Sequence, residues 1–227
     1  MRQAYFIFKR EFSSYFVSPI AYIVITVFLL VTGWFFFSTF FAYNQASLRN
    51  FFNLLPYIFS FIVPAVTMRL FSEELNIGTY EILLTMPVTF GDVIIGKFTA
   101  SLALIAAMLA PTLSYPLFIS MTGDLDWGPV LGGYIGSILL GAAYSAIGLF
   151  ASSLTRNQII AFIIGVALCF GMALMDQMLF FLPGVVVDLF QYLAADFHFQ
   201  NISKGIIDSR DILYFLSICF TGLYASQ

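Results

Sequence analysis

Charged side chains are scarce in this sequence of 227 residues. They make up 9% of it, whereas about 25% is usual for a soluble domain, and 61% of the residues are hydrophobic. A water-soluble fold cannot hide that much apolar surface, so the composition excludes a soluble globular protein. The net charge of -3 is small and dispersed over the loops, so we expect no nucleic-acid partner.

Histidine and cysteine are scarce too, with one and two residues respectively. Cys169 and Cys219 lie within apolar runs and lack neighbours at metal-ligand spacing, so we interpret them as small apolar side chains. Asp196 and His198 are two positions apart, which is compatible with an acid/base pair or a metal site. Because the sequence has no second histidine, we instead expect local hydrogen bonding in a loop, and no metal ion or cofactor in this chain.

Long uncharged runs dominate what remains. A helix needs about 20 apolar residues to cross the roughly 30 Å of bilayer hydrocarbon. The runs predict six transmembrane helices, at about residues 20–43, 51–68, 93–121, 129–151, 159–182 and 211–227. The last uncharged run, 212–227, would be about 24 Å long, so we expect the native chain to continue past Gln227. The predicted fold is an all-α integral membrane protein, with one domain over residues 1–227.

An amphipathic helix is predicted before the first span, in residues 1–18. Apolar side chains recur there at every third or fourth position, with basic and hydroxyl side chains between them. The apolar series is Tyr5, Phe8, Phe12 and Tyr15 or Phe16, and Lys9 and Arg10 lie between its members. Such a helix lies on the membrane surface rather than across it.

The outer segment 183–210, between the fifth and sixth spans, is too apolar for a plain linker. Its apolar side chains at 185–187 and at Phe190 predict a short or re-entrant helix. Asp176, near the end of the fifth span, is the ionisable group closest to the middle of the bilayer. We expect it at the membrane interface, where the cost of a charge is already falling.

Basic side chains are distributed unevenly between the two sides of the predicted bundle. With the N-terminus inside, the inner side carries Arg2, Lys9, Arg10, Arg69, Lys97 and Arg156, and the outer side carries Arg49, Lys204 and Arg210. Basic residues in short loops favour the cytoplasmic side. We therefore predict that both termini are cytoplasmic.

The fourth span carries a stripe of small residues. They repeat every four positions, at Gly133, Ser137, Gly141 and Ser145. Small residues at this spacing let another helix backbone approach closely. We expect packing against helices of the same chain, and a contact with a second subunit is the alternative.

The predicted inner loop, residues 69–92, combines acidic and apolar side chains. Gly78 is typical of the end of a short helix that begins near Arg69, and Thr79 of the N-cap of a second helix that ends at Pro87. These helices would carry Glu73, Glu74, Tyr80, Glu81, Ile82, Leu83 and Leu84. The loop is more apolar than a solvated connection requires, so it lies on the bilayer or docks a partner.

The sequence GDVIIGK at 91–97 matches the first seven positions of a phosphate-binding P-loop. The next position holds Phe98, where a Ser or Thr must bind magnesium, and a membrane span follows. We expect no nucleotide site here. Thr89 and Asp92 instead predict a capping box that opens the third span, and Pro111 and Pro116 predict kinks within that span.

Three segments resemble the permeases of ABC-2 type transporters, and in particular the gliding-motility-associated permease subfamily. They are FKREFSSYFVSPIAYIV at 8–24, TMRLFSEELNIGTYEILLTMPV at 67–88 with GDVIIGKF at 91–98, and DFHFQNISKGIIDSRDILYF at 196–215. The resemblance covers nearly the whole chain, and the segment at 67–88 is the most specific part.

The resemblance implies that residues 69–92 form a coupling loop that sits in a groove of a separate cytoplasmic ATPase, which carries the ATP and Mg²⁺. The coupling residues it implies are Arg69, Glu73, Glu74, Gly78, Thr79, Glu81 and Pro87. We add Tyr80 and Leu83, whose apolar side chains we expect to fill the groove. It also implies a transport path between two permease subunits, a bacterial cytoplasmic membrane as the location and a possible accessory envelope protein.

We therefore predict the permease subunit of an ATP-driven exporter, with no enzymatic activity of its own. Two rival interpretations remain at this stage. One is a membrane scaffold of an envelope or motility machine that moves no substrate, and the other is a membrane-embedded enzyme with Asp196 and His198 as its site. No residue pattern identifies the exported substrate.

Overall fold

The computed structural model describes residues 2–43, 47–78, 89–178, 190–206 and 208–227. Within these ranges the chain is helical nearly throughout and contains no β-strand, which confirms the predicted all-α class. The helices are α1 (Arg2–Val17), α2 (Ile20–Tyr43), α3 (Arg49–Thr67), α4 (Arg69–Ile77), α5 (Phe90–Leu109), α6 (Ser114–Thr122), α7 (Trp127–Ser153), α8 (Gln158–Met178), α9 (Ala195–Ser203) and α10 (Ser209–Ala225). Residues 190–193 are helical as well.

Five helical stretches in the described part of the chain are long and apolar enough to cross a membrane. They are Ile20–Ala42, Arg49–Ile77, Phe90–Met121, Trp127–Ser153 and Gln158–Met178. The second stretch runs through α3 and α4, and the third runs from α5 into α6. The helix at the predicted sixth span, α10, has 17 residues, or about 26 Å at ~1.5 Å per residue. The sixth span therefore stays a prediction.

Local sequence explains most of the helix boundaries. The Thr89 side chain accepts a hydrogen bond from the Asp92 amide, so α5 starts at the predicted cap, although at Phe90 rather than Val93. At the predicted kink near Pro111 the structure has a 3-10 turn, Ala110–Leu113, between α5 and α6, whereas Pro116 lies within α6. Gly78 ends α4 with a φ of 81°, in the left-handed region that a residue without a Cβ adopts freely.

The central helix of the bundle is α7, which contacts α3, α5, α8, α9 and α10. In the most apolar stretch of α7, 72% of the residues are buried inside the protein. The corresponding fraction is 22% in α2 and 22% in α8. The surrounding core is aromatic and aliphatic, and its fully buried side chains include Phe28, Phe59, Ile105, Phe199 and Phe215. This packing places α7 inside the protein and leaves much of α2 and α8 at its periphery.

Contacts assign the helix ends to two sides of the bundle. At one side α1, α4, the start of α5 and the end of α7 meet, through side chains that include Glu11, Glu74, Lys97 and Ser152. At the other side the start of α3 lies beside the start of α7. The end of α9 is on this second side too, because Gly132 of α7 lies against the Ile202 carbonyl.

The predicted outer helix falls partly outside the described residues, since 179–189 are not among them. The last positions of the predicted fifth span, 179–182, lie there too. The described remainder is helical at 190–193 and in α9. Ala195, Phe199 and Ile202 of α9 are buried, so this part of the predicted outer loop packs into the bundle instead of forming a solvated connection.

Candidate functional site

Lys97, in the second turn of α5, is fully buried at the side of the bundle where α1 and α4 meet. Its Nζ donates to the Leu70 carbonyl at 2.6 Å and lies 2.8 Å from Glu74 Oε1 and 3.4 Å from Glu11 Oε1. The Nζ also lies 5.2 Å from the centre of the Phe71 ring. A buried ammonium is tolerated because these acceptors replace its water shell.

Arg10 extends the same network to the surface. Its Nη2 lies 2.7 Å from Glu11 Oε1 and 3.2 Å from Glu74 Oε1, so Glu74 accepts from both Lys97 and Arg10. These ion pairs join α1, α4 and α5 to one another. We call Arg10, Glu11, Glu74 and Lys97 the inner charge cluster.

The helix α4 is also fastened to the end of α7. The Ser152 hydroxyl accepts from the backbone amides of Phe71 and Ser72, each at 3.0 Å, and donates to the Met68 carbonyl at 2.7 Å. These amides belong to the first turn of α4, which has no partners for them within the helix. One serine therefore caps α4 from a neighbouring helix and fixes its position in the bundle.

A cleft of about 370 Å³ opens beside the inner charge cluster, between α1 and α4. Arg69, Glu73 and Ile77 of α4 line it together with Ser14 and Tyr15 of α1. Arg69 and Glu73 pair at 3.1 Å along one face of α4. Burial, and then the nearby Glu11 carboxylate, raise the pKa of the Tyr15 hydroxyl, so it stays protonated.

The structure describes four of the residues predicted for the coupling loop: Arg69, Glu73, Glu74 and Gly78. The other five, Thr79, Tyr80, Glu81, Leu83 and Pro87, lie outside the described residues, as does the predicted second helix. The predicted short helix and its end at Gly78 are present as α4. Ile77, beside Gly78, is 66% exposed, so the end of α4 presents an apolar side chain.

The segment that resembles a P-loop serves helix packing. A Cβ on Gly96 would come within 2.8 Å of the Ile7 side chain and 3.0 Å of the Ala4 carbonyl. Gly96 therefore lets α1 lie directly on α5, and the adjacent Lys97 points into the inner charge cluster. The Lys97 ammonium is thus held by carboxylates of its own chain.

The predicted small-residue stripe on α7 packs against helices of the same chain. A Cβ on Gly133 would meet the Phe52 ring of α3 at 2.3 Å, and one on Gly141 would meet Ile105 of α5 at 2.9 Å. Ser137 and Ser145 are fully buried, and Ser137 donates to the Gly133 carbonyl at 2.6 Å. These four positions are therefore covered within one copy of the chain.

The outer polar residues form two separate sets, and Asp196 and His198 are not paired with each other. Asp196 accepts from Gln200 at 2.8 Å and from the Tyr57 hydroxyl at 3.5 Å. His198 lies 2.6 Å from Asp211 instead. The Asp196–His198 pair that the enzyme interpretation requires is therefore not formed, because residues two positions apart on a helix point in different directions.

Several residues of these sites were not predicted from the sequence. Glu11, Ser152 and Asp211 contribute to them, and Lys97 was considered only as an inner basic residue and as part of a segment that resembles a P-loop. A signal was available for Lys97 and Asp211, since each is a charge within the first two turns of an apolar helix. For Ser152 no signal was available, because a capping serine on another helix has no characteristic spacing in the sequence.

The architecture and the apolar helices define a multi-pass membrane protein. A family model described as ABC-2 family transporter protein matches residues 5–219. The chain belongs to this family, and it is the permease component of an ABC transporter. The search of the curated proteins gave no match.

Proposed function

We propose that this chain is the permease of an exporter of the gliding-motility-associated subfamily. It works as a dimer with two copies of a cytoplasmic ATPase, which carries the ATP and Mg²⁺. Residues 69–92 couple ATP hydrolysis to transport, and both termini face the cytoplasm of a bacterial inner membrane. An accessory envelope protein completes the assembly.

The observation that carries this proposal is the attachment of α4 to the rest of the bundle. Through Glu74 it is bound to α5 and α1, and through Ser152 to α7. A push on α4 therefore reaches three helices through short contacts. A loop that only connects two spans has no need for a buried lysine at its base, because such a lysine is costly unless it is paired.

The structure suggests a division of roles among the acidic residues. Glu74 is occupied by Lys97 and Arg10, so in our proposal it transmits motion within the permease instead of contacting the ATPase. Glu73 is more exposed, and Ile77 and Gly78 form the exposed end of α4. Glu73 and Ile77, together with Tyr80, Glu81 and Leu83, are the proposed ATPase contacts, and Gly78 is the proposed joint through which α4 transmits motion. Glu73 thus remains a proposed contact of the coupling loop with the ATPase, whereas Glu74 becomes a contact within the permease.

The test is co-purification of the ATPase with the permease, together with substrate-stimulated ATP turnover by the reconstituted complex. Ile77→Ala removes an exposed apolar side chain at the proposed contact. Its matched control is Ile206→Ala, since Ile206 is 64% exposed at the opposite side of the bundle. An interface hot spot is worth about 2 kcal/mol, so Ile77→Ala should weaken ATPase association about 30-fold, and Ile206→Ala should not.

Gly78→Pro tests transmission separately from docking. It removes the amide that donates to the Glu74 carbonyl at 3.0 Å, and proline cannot adopt the φ of 81° found here. The ATPase should still co-purify, with hydrolysis no longer linked to transport. If Ile77→Ala and Gly78→Pro both assemble and turn over like the Ile206→Ala control, α4 is a passive connection and the proposal fails.

A further inference from the structure

His198 lies between two hydrogen-bond acceptors at the outer side of the bundle. Its Nδ1 is 2.6 Å from Asp211 Oδ1 of α10, and its Nε2 is 3.0 Å from the Tyr192 backbone carbonyl. A neutral imidazole has one N–H donor and one bare nitrogen that can only accept. A carbonyl and a carboxylate offer no hydrogen to such a nitrogen. With Asp211 ionised, both contacts are therefore hydrogen bonds only when each ring nitrogen carries a proton.

The surroundings of Asp211 lead to the same conclusion. Its side chain is 5% exposed, and among the described residues its ion-pair partner is His198. Its second oxygen, Oδ2, is buried and has no hydrogen-bond partner within the described ranges. A buried carboxylate requires a compensating positive charge nearby. The imidazolium form of His198 provides it at the first oxygen.

We infer that His198 and Asp211 form a proton-binding latch that holds the segment 190–194 and α9 against α10. Tyr214 of α10 completes it, because its hydroxyl donates to the Leu193 carbonyl at 2.6 Å and its ring stacks on His198 at 4.0 Å. Loss of the proton leaves the bare Nε2 facing the Tyr192 carbonyl, so this contact becomes repulsive and the segment is released. Under the proposed topology, the latch responds to the pH outside the cell.

Other ionisable groups surround α9 and must be separated from the latch. They are Asp196 on α9 itself, Tyr57 on α3, Tyr144 on α7, Asp176 on α8, Tyr214 on α10, and Tyr192 in the helical residues 190–193. Of these, Asp196 changes charge within the pH range of the test described below, because burial raises the pKa of its carboxyl to about 6. It bonds to Gln200 and Tyr57 and not to the imidazole, so its contribution can be tested independently.

The first experiment uses the fact that His198 is the one histidine in the sequence. The protein is labelled with ¹⁵N-histidine, purified without a polyhistidine tag and placed in lipid nanodiscs, so that both ring-nitrogen signals come from this residue. At about pH 5, where we expect the segment to be held, both ring nitrogens should be protonated. A spectrum with one bare nitrogen at that pH would overturn the inference, whatever the variants do.

The second experiment measures release of the segment. Ala194 is fully buried, and Lys204 is exposed on the same side of the bundle. Cysteines at these two positions are compared in proteins in which Cys169 and Cys219 are replaced by alanine. The ratio of their thiol labelling rates cancels the effect of pH on the thiol itself. It should rise about tenfold between about pH 5 and about pH 9, as expected for one lost buried hydrogen bond.

Three variants identify the group that titrates. His198→Gln should give a ratio that no longer changes with pH. Asp211→Asn should raise the ratio at about pH 5, because the imidazolium has lost its charged partner and holds the segment less well. Asp196→Asn should leave the rise in place. A pH-dependent ratio that survives in His198→Gln, or that disappears in Asp196→Asn, would assign the titration elsewhere and overturn the latch.

Discussion

Lys97 Nζ lies 2.8 Å from Glu74 Oε1, so a cation from α5 meets a carboxylate from α4 inside the protein. Replacing Lys97 by Met leaves Glu11 and Glu74 close together without their buried cation, and the Arg10 guanidinium that also pairs with both of them is largely exposed. Breaking a buried ion pair by removing one partner costs about 3–5 kcal/mol. We therefore expect Lys97→Met to lower resistance to denaturation in detergent strongly.

The control for this change is Lys204→Met, which removes an exposed lysine. A second comparison combines Lys97→Met with Glu74→Gln, which removes one of the stranded charges. The double variant should be more stable than Lys97→Met alone. If Lys97→Met and Lys204→Met denature alike, the inner charge cluster does not stabilise the fold.

Close packing of α7 against α9 gives the second prediction. A Cβ on Gly132 would come within 2.3 Å of the Ile202 carbonyl oxygen, a backbone atom that cannot turn aside. Gly132→Ala should therefore destabilise the protein by about 1–3 kcal/mol, as is usual for an overpacked core. Gly171→Ala in α8 is the matched control, because a Cβ there meets nothing within 4 Å. That variant should be neutral or slightly stabilising, and the midpoint of thermal unfolding compares the two.

Asp196 gives a pH-dependent prediction. Burial raises the pKa of its carboxyl from 3.8 to about 6, and the nearby Asp176 carboxylate contributes to the rise. Between these two values the folded protein binds more protons at this site than the unfolded chain does. Stability should therefore fall as the pH rises from about 4 to about 6, by up to about 3 kcal/mol. Asp196→Asn should remove this loss, while Asp124→Asn, at an exposed position, should keep it.

Topology is tested with single cysteines in a background without Cys169 and Cys219. Under the proposed orientation, cysteines at Gln3, Asn76 and Asn157 are protected from a membrane-impermeant thiol reagent added to intact cells. Cysteines at Asp124 and Lys204 should react. All five positions are exposed in the structure, so the membrane rather than burial decides the result. Reaction at Asn76 from outside would reverse the proposed orientation.

The sequence predicted the helices well because their signals are local. A threonine three residues before an aspartate and a glycine at the end of α4 each act within one or two turns, and a long apolar run acts within a single helix. The boundaries are displaced by a few residues, as in α5, which starts at Phe90. The predicted kink at Pro111 also rests on a single residue, and the structure has a 3-10 turn at that position.

The contacts between helices could not be predicted in the same way. Glu11 and Lys97 are 86 positions apart, and His198 and Asp211 are 13 apart, so no repeat or motif links either pair. The rival enzyme interpretation paired His198 with Asp196, two positions away in the sequence, whereas the imidazole lies against Asp211. Which of two nearby carboxylates meets the imidazole depends on how α9 and α10 pack together, and the sequence does not reveal this.

The order of the inner charge cluster along the chain bears on how the protein enters the membrane. The acceptors of Lys97 are Glu11, the Leu70 carbonyl and Glu74, and all of them precede it in the sequence. Synthesis proceeds from the N-terminus, so these groups have already left the ribosome when α5 emerges. An ammonium entering a bilayer alone faces a large penalty. Here its neutralising partners are made first, so α5 can be inserted beside groups that are ready to receive its charge.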